Sequence, residues 1–204
     1  MIDKNEVIAV LLGGLSHEAE ISRRTGAAVT EALCSLGYKA IPVEYKPDSV
    51  LEQLQAINAK MVFIALHGKY GEDGTIQSIL ELAGIPYTGS GVSSSAITMD
   101  KILSSRIFKQ AGINMAFSMP YYLSDGLDKV EDSIKKHFKF PVVLKPACEG
   151  STIGIEIVQE SGNLRDALSR AFLVESRLLV ETFLDGEEFT VAVLNGKALP
   201  IVKI

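Results

Sequence analysis

The chain has 204 residues, enough for one or two domains, and its 47% hydrophobic and 22% charged composition excludes a disordered polymer. A net charge of -5, from 20 basic and 25 acidic residues, argues against nucleic-acid binding, which needs a basic face. The longest apolar runs, Val7–Leu12 and Met61–Leu66, are too short to span a bilayer, which argues against a membrane protein. The N-terminal run has no longer h-region and no cleavage pattern, so a cytoplasmic location is expected. Two cysteines, Cys34 and Cys148, supply neither a disulfide framework nor a metal-binding spacing.

In chain order, residues 7–12 read as a buried strand followed by the turn Gly13-Gly14. From about Glu20 the spacing Ile21, Ala28, Ala32, Leu36 predicts a helix face, with Gly37 as its stop. A strand over 38–45, a helix over 50–57, a strand over 61–66 and a helix over 75–83 complete a βαβ pattern. Open parallel sheets bind ligands beyond the carboxyl ends of their strands, which singles out the loops Gly13–Glu20 and His67–Thr75.

After Gly91 the texture changes to small polar residues, and Asp100 is placed to cap a helix over 101–110. Strands over 117–123, 140–145, 155–159 and 177–184 are expected, with helices over 127–137 and, capped by Asn163, up to Phe172. Residues 188–194 and 197–204 flank Asn195-Gly196, the favoured pair of a type I′ hairpin. Helices mixed with antiparallel strands predict a second, α+β domain.

Several residues carry two readings each. Glu18 stands near a helix start, where a carboxylate suits the helix dipole, or where it would hold an ammonium group. In His67-Gly-Lys-Tyr-Gly-Glu-Asp-Gly74 three glycines and several ionisable groups are costly to order for mere connection; the plain alternative is a solvated turn with Asp73 capping the next helix. His67 at the strand end would titrate near neutral pH or donate to an anion. Lys145 ends an apolar strand, either to meet an anion or to snorkel to water. The loop Glu149-Gly-Ser-Thr-Ile-Gly154 offers N–H groups and hydroxyls for a phosphate. Lys101, Glu181, Glu187 and Glu188 read as ordinary surface charges, and no feature predicts a lowered pKa for Cys148. Physics alone reaches a two-part α/β protein that binds an anionic ligand between its parts.

Taken together, the ordered motifs resemble the D-alanine–D-alanine ligases of the ATP-grasp superfamily. The stretches are Leu11-Leu-Gly-Gly-Leu-Ser-His-Glu18 with Ser22, Ala65-Leu-His-Gly-Lys-Tyr-Gly-Glu-Asp-Gly74, Tyr87-Thr-Gly-Ser-Gly91 with Ser95-Ala96, and Met99-Asp-Lys101. They continue with Lys145-Pro146, Glu149-Gly-Ser-Thr-Ile-Gly154, Val180-Glu181, Gly186 and Glu188-Phe-Thr190. The resemblance implies ATP-dependent joining of two D-alanines through an acyl phosphate, for peptidoglycan precursors. It implies that Glu18 holds the ammonium of the first D-alanine, near His67, and that Ser151 belongs to a network linking Glu18 to a mobile loop. By the same resemblance Lys101, Lys145, Ser151 and Thr152 bind ATP phosphates, Glu181, Phe183 and Leu184 form the adenine edge, and Glu188 meets the ribose. Thr152 stands where a second serine is usual, and Leu15 replaces a commonly polar residue.

The resemblance further implies a Rossmann-like domain over residues 1–97, a central ATP-grasp subdomain over 98–182, and the start of another over 183–204. The family continues for roughly another hundred residues. The ligands for Mg2+ or Mn2+ are expected there rather than in this chain, so no turnover is expected of residues 1–204 alone. A homodimer is expected from the family. The alternatives are a relative that accepts D-lactate or D-serine second, and a non-catalytic α/β binding protein.

Overall fold

In a computed structural model, which describes residues 3–204, the apolar runs become β1 (Val7–Leu12), β2 (Lys39–Glu44) and β3 (Ala59–Ile64). They pair in parallel in the order β2-β1-β3. The central strand is buried from Val7 to Leu11, which explains its unbroken apolar run. Helices α1 (Ala19–Ser35), α2 (Val50–Ala56) and α3 (Thr75–Leu82) alternate with the strands. The first core gathers Leu11, Val43, Leu54, Val62, Ile76 and Leu80. Beside β3, the segment Pro86–Thr88 adds a further pairing, Val62 N–H donating to the Pro86 carbonyl and Thr88 N–H to that of Val62.

Two expectations in this region need correction. Helix α1 does not bury Ile21 and Leu36, which are 51% and 61% exposed; it buries Ser22 and Gly26. The sheet comes so close that a Cβ added to Gly26 would lie 2.5 Å from Leu12 Cβ, so only a small-residue face fits. β3 also runs two residues earlier than expected, leaving Ala65 and Leu66 beyond the strand.

The small polar stretch after Gly91 forms a helix, α4 (Val92–Met99), which the sequence does not announce because serines replace an apolar stripe; Ser95 is its buried residue. α5 (Lys101–Gln110) follows directly. As expected, Asp100 caps it, one carboxylate oxygen accepting from Ile102 N at 2.9 Å and Leu103 N at 3.0 Å.

The second sheet contains β4 (Ser118–Tyr122), β5 (Val142–Pro146), β6 (Glu156–Val158) and β7 (Arg177–Thr182), antiparallel in the order β4-β7-β5-β6. Pro120 is tolerated because β4 lies at the edge. Helices α6 (Leu127–His137) and α7 (Leu164–Val174) share a core with the sheet through Val130, Ile134, Leu144, Leu164, Leu168 and Leu178. Asn163 stands at the N-cap of α7 without a side-chain capping bond, contrary to expectation. A smaller cluster of Ile102, Ala147 and Leu179 joins α5 to this sheet.

The C-terminal hairpin forms as two short ladders. β8 (Phe189–Thr190) pairs with β11 (Val202–Lys203), and β9 (Val193–Leu194) with β10 (Lys197–Ala198). Asn195 and Gly196 both take positive φ, 50° and 76°, as a type I′ turn requires.

Candidate active site

The loop after β1 is fastened by two serines. Ser22, inside α1, accepts a bond from Gly13 N at 2.9 Å and donates to the Ala65 carbonyl at 2.7 Å. Ser16 donates to the His67 carbonyl at 2.8 Å and accepts from Glu18 N at 3.2 Å. The loops after β1 and β3 are therefore one bonded unit. Gly13 has φ +75°, and a side chain there would run into the Glu44 carboxylate, itself held by Arg23.

Glu18 occupies the N-cap of α1, yet its side chain makes no capping bond. Its carboxylate instead faces both loops: Cβ atoms added to Gly68 and Gly150 would lie 2.8 Å and 3.0 Å from Oε2. The dipole explanation accounts for its place in the sequence, but not for its position against two glycines from different parts of the fold. Only residues without side chains let this carboxylate stand between the loops.

His67 is half-buried, with Nε2 3.2 Å from Thr25 Oγ1 and Nδ1 3.9 Å from Glu72 Oε1. Much of the loop's charge orders its own backbone. Glu72 accepts from Gly68 N at 2.7 Å, and Asp73 accepts from Tyr70 N at 2.9 Å and Thr75 N at 3.0 Å. Asp73 thus serves the start of α3, though the N-cap residue itself is Gly74.

Across the crevice, Lys101 is fixed at both ends: its N–H donates to the Ala147 carbonyl at 2.8 Å, and its ammonium donates to the Glu149 carbonyl. Burial lowers its pKa, and the Lys145 ammonium adds to that, against the opposing pull of Cys148, Glu175 and Glu149. Lys145 does not simply snorkel; it pairs with Glu181 of the neighbouring strand β7. The two residues expected at opposite ends of a nucleotide are thus brought together. Cys148 is pushed up to about 11 by burial and by the Glu175 carboxylate, which fits the absence of any activating feature in the sequence.

Between Gly150 and Gly154 the chain makes a tight turn, with Ile153 N donating to the Gly150 carbonyl at 3.1 Å. Ser151 and Thr152 are exposed, and their φ values of +47° and +66° point the backbone away from ordinary conformations. Phe183 is half-buried and its N–H donates to the Pro141 carbonyl at 3.2 Å, while Leu184 is 70% exposed. Glu188 is exposed, and its carbonyl accepts from Ile204 N at 3.0 Å. A cavity of 430 Å³ lies between Lys69 and Asp73 of the first region and Asp100, Cys148, Glu149 and Glu175. Thr25, Glu175 and Arg177 escaped the sequence reading, because each becomes relevant only through a partner distant in the chain.

Family models give the same reading from an independent side. The model described as D-ala D-ala ligase N-terminus matches residues 44–90, and that described as D-ala D-ala ligase C-terminus matches residues 107–204, more than half of the chain between them. A D-alanine--D-alanine ligase of Citrifermentans bemidjiense is 44% identical over 98% of this chain and 63% of its own length. The enzyme of the same name from Geobacter sulfurreducens is 43% identical over 98% of this chain and 62% of its own. The solved D-alanine--D-alanine ligase of Bacillus anthracis superposes with a TM-score of 0.87 at 35% identity, covering 97% of this chain and 64% of that one. The same enzyme complexed with ATP gives 0.82 at 34% identity, covering 97% and 65%. The chain thus spans a little under two thirds of the length of the curated relatives it matches. Fold, motif order and both family models agree: the chain belongs to the D-alanine–D-alanine ligase family.

Proposed function

We propose that this chain carries the first amino-acid site and the phosphate-binding lysines of an ATP-dependent D-alanine–D-alanine ligase acting in peptidoglycan precursor synthesis. The observation that carries this reading is the Glu18 carboxylate, set between Gly68 and Gly150 without a capping bond. A carboxylate in such a crevice suits the ammonium of an amino acid. By family resemblance His67, whose carbonyl accepts from Ser16 of the same loop, would lie near the first D-alanine as a donor.

The overall chemistry divides into two steps. A carboxylate oxygen of the first D-alanine attacks the γ-phosphorus of ATP, and ADP leaves. The amine of the second D-alanine then attacks the acyl carbon, phosphate leaves, and the amine gives up a proton. Catalysis of this kind rests on positioning and on neutralising charge. Lys101 and Lys145 would hold the phosphates, with the N–H groups and hydroxyls of Ser151 and Thr152 closing over them. Glu181, Phe183 and Leu184 would border the adenine, and Glu188 the ribose. Among the described residues no group of three His, Cys, Asp or Glu side chains gathers to hold a metal ion. By family resemblance Mg2+ or Mn2+ would accompany the ATP phosphates and offset their charge.

The two separate cores support a division into residues 1–97, 98–182 and 183–204, the last being a solvent-exposed hairpin. Among the described residues no helix is long and apolar enough to cross a membrane. Family resemblance extends the reading to a cytoplasmic homodimer, and the names of the relatives favour D-alanine over D-lactate or D-serine as second substrate.

Calorimetric titration tests the assignment. Glu18→Gln should weaken D-alanine binding about 30-fold, the worth of a charge-assisted hydrogen bond, while ATP binding stays within twofold. Unchanged D-alanine affinity in the variant, or no D-alanine binding by the natural chain, overturns the reading.

A further inference from the structure

Lys101 is tied to a chain of contacts that runs away from the crevice. Asp100, directly before it, is buried and uses one carboxylate oxygen to cap α5. Its other oxygen accepts from Arg177 Nη1 at 2.8 Å. The second terminal nitrogen of Arg177 donates to Cys148 Sγ at 2.8 Å and lies 3.3 Å from Glu175. Glu175 in turn accepts from Cys148 N at 2.7 Å, and the Arg177 carbonyl accepts from Ala147 N at 3.0 Å. One guanidinium therefore bridges the start of the helix that carries Lys101 and the 147–149 segment that leads into the Gly150–Gly154 turn.

We propose that Arg177 is a positioning residue for the phosphate-binding part of the site. It sets where the Lys101 ammonium stands relative to Glu149 and Gly150, without itself reaching the nucleotide. The proposal rests on the ligase reading above.

Three physical points support it. Burial makes the charged form of Lys101 costly, so its position needs outside support when no anion is bound. Asp100 is pulled upward by burial, but the bonds from Leu103 N and Arg177 outweigh that and hold it below the usual carboxylate range. The pair is thus charged, and strongest when both partners are in place. Finally, the planar fork reaches Asp100 and Cys148 from two nitrogens of one rigid group, which a flexible lysine ammonium does not reproduce.

The test compares ATP with adenosine, which lacks the phosphates, in titrations of the full chain. For Arg177→Met and Arg177→Lys, ATP affinity should fall about tenfold, within the range of coupled contacts, with adenosine affinity unchanged. Asp100→Asn keeps a capping side chain but loses the ion pair, and should reproduce that loss. The double variant Asp100→Asn/Arg177→Met should be no worse than either single change, since both remove one contact. Equal weakening of ATP and adenosine would mark Arg177 as merely structural and overturn the proposal, as would an unchanged ATP-to-adenosine ratio or additive losses. If the natural chain itself binds ATP no better than adenosine, the assignment of the phosphate lysines fails instead. Thermal melting of each variant, expected within a few degrees of the natural chain, guards against loss of the fold.

Discussion

Around the loops after β1 and β3 the serines and most carboxylates fix backbone, Arg23–Glu44 being an ion pair among them, whereas around β5 and β7 more of the charged side chains are paired with one another. In the first region Ser16, Ser22, Glu72 and Asp73 all bond to main-chain groups, and glycines let Glu18 approach both loops. In the second, Lys145 pairs with Glu181, Asp100 with Arg177, Glu156 with Arg170, and Glu131 with Lys135 and Arg165. The difference shows two ways to prepare a site. On the proposed reading, a rigid backbone would present a carboxylate ready for a cation, while a network of ion pairs would hold cations in place for an anion.

The largest expected effect comes from breaking the rigid half alone. Gly26→Val would place a branched side chain against Leu12, whose Cβ and Cδ2 lie 2.5 Å and 2.7 Å from an added Cβ. A loss of about 2–3 kcal/mol in denaturant melts is expected, since the central strand of the sheet has nowhere to move. Leu36→Ala on the same helix removes an exposed side chain and should change stability by less than about 0.5 kcal/mol. Because the two cores are separate clusters, hydrogen exchange at Leu178 and Val180 should be untouched by Gly26→Val. A small effect of Gly26→Val, or a large one of Leu36→Ala, would remove the small-face account of α1.

That contrast also marks what the sequence could and could not tell. Strand β1 was legible because burial on both faces leaves an unbroken apolar run, β3 through the apolar run that starts at Met61, and α5 because Asp100 precedes it. The face of α1 was not legible: its buried positions hold serine and glycine, chosen for closeness and a hydrogen bond rather than for apolar area. α4 was missed for a similar reason. In the site, Glu18 and His67 already carried a second reading from their places at strand ends, whereas Lys101 stood out only through the family's motifs, since it had an ordinary local explanation. The Lys145–Glu181 and Asp100–Arg177 pairs were out of reach, because strand register and a separation of 77 residues in the chain decide them.

An intermediate effect should appear in acid, where the paired half is the weaker one. Asp100, Glu131 and Glu156 are all held below the usual carboxylate range. For Asp100 burial opposes the shift and hydrogen bonds win; for Glu131 bonds from Lys135 and Arg165 dominate, and for Glu156 those from Arg170. A carboxyl with a depressed folded pKa stabilises fully above its unfolded value, about 4, and that contribution fades as pH falls through the folded value. All three belong to the second region, so hydrogen exchange below pH 4 should release β5 and β7 before β1. Asp100→Asn should flatten the acid side of the melting curve. Earlier release of β1 would mean that the ion pairs contribute little beyond surface contacts.

The smallest effect concerns the turn between β5 and β6. Thr152 is exposed, branched at Cβ and held at φ +66°, a conformation that costs such a residue about 1–2 kcal/mol. Asn195, at φ +50° in the C-terminal hairpin, shows the residue type that tolerates this backbone. Thr152→Asn should therefore raise stability by about 0.5–1 kcal/mol, and Asn195→Thr should lower it by a similar amount. Matched, opposite shifts in melting temperature would attribute both effects to backbone conformation alone. If Thr152→Asn instead lowers stability, the threonine methyl or hydroxyl makes a contact that its exposure does not reveal. The turn would then be held by side-chain packing as well as by the paired charges behind it.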